Sequence, residues 1–323
     1  MSHLCSNNLP ALVDDSSAWD CLCDALRALF TRHGGRLKYL PNEGNAGDAL
    51  IGAGSWQFFD DIELHPEYGT LRGLRAGDAA IFGGGGNLVP EYSGCRAFLE
   101  RCLAVNVASA LVMPQTIRGH DDVLARLDER FTLVCRDTSS MLRAQASGTR
   151  AHLLFAPDMA LYVDVARLFK RCEQYGGQRA PRTWARLAHH DRLLPYLRWR
   201  WALSRRAPPL GGHINIMRVD LEATASQRGD AWSDISHLYG SKLRLREESD
   251  LVSRDFLAFF ARLSSVRTNR LHAGVAGALM GCDVTYLENS YGKIGAVYDA
   301  WLSHLPFVNF EPVSFGRRRE ARA

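Results

Sequence analysis

Between Ser264 and Lys293 the chain reads SSVRTNRLHAGVAGALMGCDVTYLENSYGK. A short apolar strand gives way to a turn carrying Arg267, Asn269, Arg270 and His272, and an Ala/Gly-rich helix follows. A second strand, Asp283 to Leu287, ends in Glu288, Asn289, Ser290 and Lys293. Such a βαβ unit binds ligands at the carboxyl ends of its strands. Two arginines, a histidine and a lysine converging there suit a small, highly charged anion, and a phosphorylated carboxylate is a good candidate. His272 also has a plain reading as a satisfied histidine at a helix start. Its cationic neighbours favour a histidine that moves a proton while the cations hold an anion.

Other strand ends carry chemistry of the same kind. Asn215 to Glu222 closes a strand with Arg218, Asp220 and Glu222 at alternate positions, which puts the three on one side of an extended segment. They serve either a ligand or a structural ladder of ion pairs. Arg136 and Asp137 follow an apolar strand, and Asp137 or Thr138 is placed to cap the next helix. Met113 to Arg118, with Gln115, is read as a polar cluster just after its strand, facing the same rim. Asp158, in Ala156–Met159, is read as a cap or as a hold on a loop at the domain junction.

Two glycine-rich segments complete the set. Pro41–Ser55, with Asn45 and Asp48, is read as a strand-to-helix loop, where backbone N–H groups favour anions or hydroxyls. An ordinary turn is the competing reading. No Lys-Ser/Thr pair follows, so a P-loop is not indicated. Gly83 to Gly86 and Asn87 come straight after AAIF; glycines there mean that a ligand or another backbone approaches closely. His189-His190-Asp191 has no further ligand at a recognisable spacing and is read as solvated loop.

The elements that position these residues alternate. A helix is expected from Ser16 to Arg32, with Leu22, Leu26 and Leu29 on one face. Strands are expected at Leu37–Leu40, Ala79–Phe82, Ala108–Met113, Phe131–Cys135 and His152–Phe155. Helices fall at Tyr92–Val105, Asp121–Arg130 and Thr138–Ala146. This rhythm implies a parallel, doubly wound sheet. It breaks from Val165 to Gly212, where Arg179, Arg182, Arg186, Arg192, Arg198, Arg200, Arg205 and Arg206 interleave with Trp184, Tyr196, Trp199 and Trp201. It resumes with a strand at Ile214–Met217, a helix at Ser249–Leu263 and the βαβ unit above. The expected division is residues 1–164, a basic and aromatic connector over 165–212, and residues 213–323. The connector is read either as an interdomain clasp or as a dock for an anionic membrane face. The tail GRRREARA is read as frayed and solvated.

The 323 residues, 46% hydrophobic and 23% charged, are those of a globular protein with room for two cores. A formal charge of +4 is too small to argue for nucleic acid. The first twenty residues have no basic, apolar leader pattern, and no apolar run reaches membrane-spanning length, so a cytoplasmic location is expected. The eight cysteines are read as reduced thiols. Cys5, Cys21, Cys23 and His33 make a poor zinc set, and no metal is expected.

The order GNAGDALI, FGGGGN, MPQTI, CRD, APDM, RVDLE, TNRLHAGVAGALMG and ENSYGK resembles the polysaccharide pyruvyl transferase family. The resemblance covers Pro41 to Trp301, and its last two blocks are the specific ones. Glu288 departs from it, standing where Asp is usual. The resemblance implies two Rossmann-like domains facing across a cleft, as in GT-B glycosyltransferases. It also implies transfer of pyruvate from phosphoenolpyruvate to two hydroxyls of an exopolysaccharide sugar or its lipid-linked precursor, as a cyclic ketal. On that reading His272 carries the proton, and Arg270, Lys293, Arg218, Arg136, Asn289 and Ser290 hold phosphoenolpyruvate. Asn45, Asp48, Gly84, Gly85, Asn87 and Gln115 face the acceptor, and no cofactor is needed. A nucleotide-sugar glycosyltransferase and a non-catalytic carbohydrate-binding protein of the same fold are the alternatives.

Overall fold

In a computed structural model, the structure describes residues 12–13, 16–177, 180–222, 234–239, 243 and 245–312. Cys5, Arg179 and the tail Gly316–Ala323 lie outside the described residues. The strands are β1 (Lys38–Leu40), β2 (Glu67–Tyr68), β3 (Ala79–Phe82), β4 (Gly85–Leu88), β5 (Ser109–Ile117), β6 (Phe131–Cys135) and β7 (His152–Phe155). They form one parallel sheet in the order β2-β1-β3-β5-β6-β7, with β4 also paired to β5. A second parallel sheet runs β11-β10-β9-β8, from β8 (Gly212–Ile216), β9 (Leu263–Thr268), β10 (Asp283–Leu287) and β11 (Val308–Glu311).

β3, β5 and most of β6 are buried along their length, as strands covered on both faces must be. The chain passes from β1 outward to β2 and then back across to β3. That reversal leaves a crevice at the carboxyl ends of β1 and β3, the place where open parallel sheets take ligands. One hydrophobic cluster runs from Leu22 and Leu26 through Phe58, Met159 and Phe256 to Val266 and Val284, so both sheets share it. A separate cluster around Phe98, Val112 and Leu133 belongs to the seven-stranded sheet.

The segment Pro41–Ser55 is mostly helix rather than loop. Asn45 Oδ1 accepts the Gly47 N–H at 2.8 Å, Asp48 Oδ2 accepts the Asn45 N–H at 2.8 Å, and the helix Ala46–Asp61 starts there. This reciprocal capping satisfies donors that a helix start otherwise leaves open. Its glycines permit close packing. A Cβ on Gly54 would stand 1.8 Å from the Met159 carbonyl oxygen, and one on Gly47 would stand 2.7 Å from His272 Cβ.

The cluster expected after a strand at Met113–Arg118 lies largely within it. β5 continues past Pro114 to Ile117, and its pairing with β6 shifts between Val112 and Gln115, where proline has no N–H to donate. The glycine run does not end in a loop either, since Gly85–Leu88 extends as β4. The helix expected over Asp121–Arg130 covers Asp121–Leu124. The connector is helical over Val165–Gly176, Ala180–His189 and Leu193–Ser204. Tyr196 and Trp199 pack inward, Trp184 is half-buried, and Trp201 faces out.

Candidate active site

His272 stands in the first turn of the helix Leu271–Leu279, directly after β9. Its Nε2 lies 3.5 Å from Asp158 Oδ2, beyond the end of β7 in the other sheet. Nε2 is therefore the ring nitrogen turned toward that carboxylate. Asp158 also accepts the Ala160 N–H at 2.8 Å, and it ion-pairs with Arg136. Burial alone would raise the Asp158 carboxyl; Arg136 and His272 outweigh it and hold the group well below the usual carboxylate range.

Arg136 is fully buried after β6, with Nε donating to Thr116 Oγ1 at 2.9 Å. Its Nη2 has no hydrogen-bond partner among the described residues. Gly86 opens the space in front of it, because a Cβ there would stand 3.1 Å from both Arg136 Nη2 and Lys293 Nζ. Trp301 ties the two sheets together at this point: its Nε1 donates to the Arg136 carbonyl at 2.6 Å, and its ring stacks on Phe155.

Lys293 begins the helix Lys293–Trp301, and Glu288 accepts the Ile294 and Gly295 N–H groups at 3.1 and 3.0 Å. Glu288, the residue that departs from the family pattern, therefore caps this helix. Lys293 Nζ donates to Glu222 at 2.6 Å, and Arg218 Nη1 meets the same oxygen at 2.6 Å. Arg218 Nε and Arg270 Nη1 each reach Asp220 at 2.8 Å, while Arg270 Nε spans both oxygens of Asp234 at 2.9 and 3.0 Å. Burial lowers Lys293 to about 8, against the pull of Glu222. Burial would raise Glu222, but Lys293 and Arg218 bring it down to about 2. Arg218 and Arg270 likewise outweigh burial at Asp220.

Arg136, Arg218, Asp220, Glu222, Arg270, His272 and Lys293 line one cavity of about 420 Å³, together with Asn45, Asp48, Asn87, Tyr92 and His237, while Asp158 and Asp234 stand behind its wall. The size is that of a small-molecule site. Asp48 accepts from Asn42 Nδ2 at 3.0 Å, and burial raises its carboxyl despite His272, Lys293 and Arg136 nearby. The walls thus set four cations, a histidine and several carboxylates around one space. That arrangement can orient an anion, move a proton and hold hydroxyls.

Several expectations are corrected. Arg267 is not in the cavity: it points outward from β9, opposite buried Val266 and Thr268, and pairs with Glu311 at 2.6 Å. Gln115 is fully buried behind the wall, where its Oε1 accepts the Asn87 N–H at 3.2 Å. Gly84 and Gly85 do not line the cavity; a Cβ on Gly84 would meet the Pro114 carbonyl at 2.7 Å. Asn289 is buried beneath it, donating to Glu222 at 3.1 Å, and the exposed Ser290 donates its backbone N–H to the Glu222 carbonyl at 3.2 Å. The cations are not bare, because each holds a carboxylate. Asp234 and His237 carry no motif, so only their position in the fold brings them to light. Asp158 was legible as a cap but not as a partner of His272.

Residues 45–291 match the family model described as polysaccharide pyruvyl transferase. EpsO of Bacillus subtilis (strain 168), named provisionally as a pyruvyl transferase, is 25% identical over 296 residues, spanning 82% of this chain and 84% of its own. The fold is similar to the crystal structure of a functionally uncharacterized protein from Klebsiella pneumoniae subsp. pneumoniae NTUH-K2044. The TM-score is 0.72 at 22% identity, over 93% of this chain and 100% of that one.

Proposed function

The chain belongs to the polysaccharide pyruvyl transferase family, and from that premise we propose that it moves pyruvate from phosphoenolpyruvate to two hydroxyls of a sugar as a cyclic ketal. The observation that supports this most is the convergence of Arg136, Arg218, Arg270, Lys293 and His272 on one cavity. Arginine forks meet carboxylate and phosphate bidentately, and both groups occur in this donor.

His272 gives a ring proton to the methylene carbon of the enol, and C2 becomes electrophilic. A sugar hydroxyl oxygen bonds to C2 and returns its proton to the histidine. The C2–O bond to phosphate then breaks, and that proton leaves with the phosphate. A second hydroxyl adds to C2 and gives its proton to the histidine, which closes the ketal and restores the histidine. No step draws on a redox cofactor or a metal; the side-chain cations supply the charge stabilisation. Asp220 is 16% exposed, whereas Asp158, Glu222 and Asp234 are at 1% or less. It is therefore the internal carboxylate that the donor's own carboxylate displaces from Arg218 and Arg270.

Asn45, Asp48 and Asn87 then face the acceptor from residues 1–164, and residues 213–323 supply most of the donor side, across a cleft of the GT-B kind. No helix of the described residues is long and apolar enough to cross a membrane; we place the enzyme in the cytoplasm, where phosphoenolpyruvate is available. Incubation with phosphoenolpyruvate and a panel of oligosaccharides, lipid-linked ones included, is expected to release phosphate, and excess EDTA is expected not to stop it. Phosphoenolpyruvate is also expected to raise the melting temperature, with most of that shift lost in Arg270→Ala. Turnover of nucleotide sugars in place of phosphoenolpyruvate would overturn the assignment.

A further inference from the structure

The helix Leu193–Ser204, LLPYLRWRWALS, contains no acidic residue. One side anchors it: Tyr196, Trp199 and Leu203 are buried, Trp199 packs edge-on against Tyr239, and the Tyr196 hydroxyl donates to Asp255 at 2.8 Å. The opposite side is not covered. Leu194 is 56% exposed, Leu197 45% and Trp201 65%. Their spacing of three and then four residues puts them in one stripe along the helix. Arg198 and Arg205 extend that stripe, both exposed, and the Arg205 guanidinium lies over the Trp201 ring at 5.7 Å. No carboxylate among the described residues pairs with either arginine.

We propose that this face docks on an anionic bilayer surface. The exposed face sets Leu194, Leu197 and Trp201 beside Arg198 and Arg205 with no acidic residue on the helix, the side chains that an anionic membrane interface takes up. Tryptophan favours the headgroup level, and arginines beside it meet lipid phosphates. Burial of Tyr196 and Trp199 holds the stripe outward, so docking needs no unfolding. A second copy of the chain fits the face less well. A two-fold contact sets the same basic patch against itself, with no acidic residue on the helix to pair Arg198 or Arg205. Three apolar side chains are also few for a stable protein interface, which buries about 1,200–2,000 Å² in total. This inference stands apart from the reading of the cavity, since none of its residues reaches that site.

The test is flotation of the full chain with vesicles of phosphatidylcholine, with and without phosphatidylglycerol, at low and high salt. The protein is expected to float with the anionic vesicles at low salt, to release at high salt, and to stay behind with neutral ones. Arg198→Gln with Arg205→Gln is expected to lower the partition coefficient about fivefold per arginine. Leu194→Ser with Trp201→Ser is expected to abolish flotation while circular dichroism and melting stay as in the parent. All four side chains are exposed, so these variants keep the fold. Absence of flotation at low salt overturns the proposal, as does flotation that survives both pairs of changes. A dimer that becomes a monomer in Leu194→Ser with Trp201→Ser, with no vesicle binding by the parent, assigns the face to self-association instead.

Discussion

His272 Nε2 lies 3.5 Å from Asp158 Oδ2, although 114 residues separate them in the chain and they belong to different sheets. The same carboxylate is the partner of buried Arg136. One anion therefore orients His272 and one of the cations at once. The relative placement of the two sheets becomes a condition for chemistry, not only for stability.

Asp158→Asn keeps the shape and removes the charge. It is expected to lower kcat by about 10²-fold or more, the scale of a positioned proton-transfer group, with a smaller change in donor affinity. Breaking a buried ion pair typically costs about 3–5 kcal/mol, so the melting temperature falls as well. A kcat within a few-fold of the parent, with only the melting temperature lowered, would show that Asp158 serves Arg136 alone. Steady-state turnover and donor titration on the folded variant separate the two outcomes.

Gly47 sits against His272. A Cβ there would stand 2.7 Å from His272 Cβ and 2.8 Å from Nδ1, closer than side chains approach, so the ring has to shift. Misplacement of a reacting group by about 1 Å can cost about 10²-fold. Gly47→Ala is expected to lose turnover by at least about tenfold while the helix Ala46–Asp61, where alanine is the better helix former, stays intact. Unchanged turnover would mean that His272 tolerates displacement and is not the proton carrier.

Residues at strand ends were the legible part of this site. Arg270, His272, Lys293 and Arg218 could be placed on a common rim because parallel strands share a direction, and the alternation of Arg218, Asp220 and Glu222 was visible as a pattern. Arg267 was misplaced because the turn was read as starting too early; on β9 it takes the outward phase between Val266 and Thr268. Gln115 was misplaced because the apolar run stops at Met113, whereas β5 absorbs Pro114 with a register shift and continues to Ile117. The glycines of Pro41–Ser55 read either as a ligand loop or as an ordinary turn, yet Gly52 and Gly54 admit Ser249 and Met159, residues about 200 and 100 positions away. Which surface a glycine admits is decided by tertiary contact. The same holds for Asp234, whose pairing with Arg270 spans 36 residues with no periodic signal between them.

Lys293 gives the site a pH dependence. With burial bringing it to about 8, it is a cation below that pH and neutral above it. Donor affinity is therefore expected to fall as pH rises from about 7 to about 9.5, and calorimetric titration across that range checks it. Stability moves the other way there. The unfolded lysine, near its ordinary value of about 10.4, still binds a proton that the folded one has released, so stability rises with pH between about 8 and about 10.4. Glu222, held down at about 2, contributes on the acid side: its stabilisation is present above the ordinary carboxylate value of about 4.3 and is lost as pH falls toward about 2. A donor affinity that stays flat across the alkaline range would remove Lys293 from the binding set.

Asp220 bridges Arg218 and Arg270, each at 2.8 Å, much as a substrate carboxylate would. Its neighbours differ in what they could yield. Asp234 and Glu222 are at most 1% exposed, and displacing either would strand a charge in the interior. Asp220 is the most exposed of the three and can turn toward solvent. If the donor takes its place, the native aspartate is a competitor, and its removal strengthens binding. A hydrogen bond to a charged group is worth about 1.5–3 kcal/mol, so relief of that competition is expected to tighten phosphoenolpyruvate binding by about tenfold or more in Asp220→Asn. The measurement is the dissociation constant by calorimetry, with Arg270→Ala as the variant that must weaken it. A looser complex in Asp220→Asn would show instead that Asp220 orients the two guanidinium groups, and that the donor binds beside the ion pairs without replacing one.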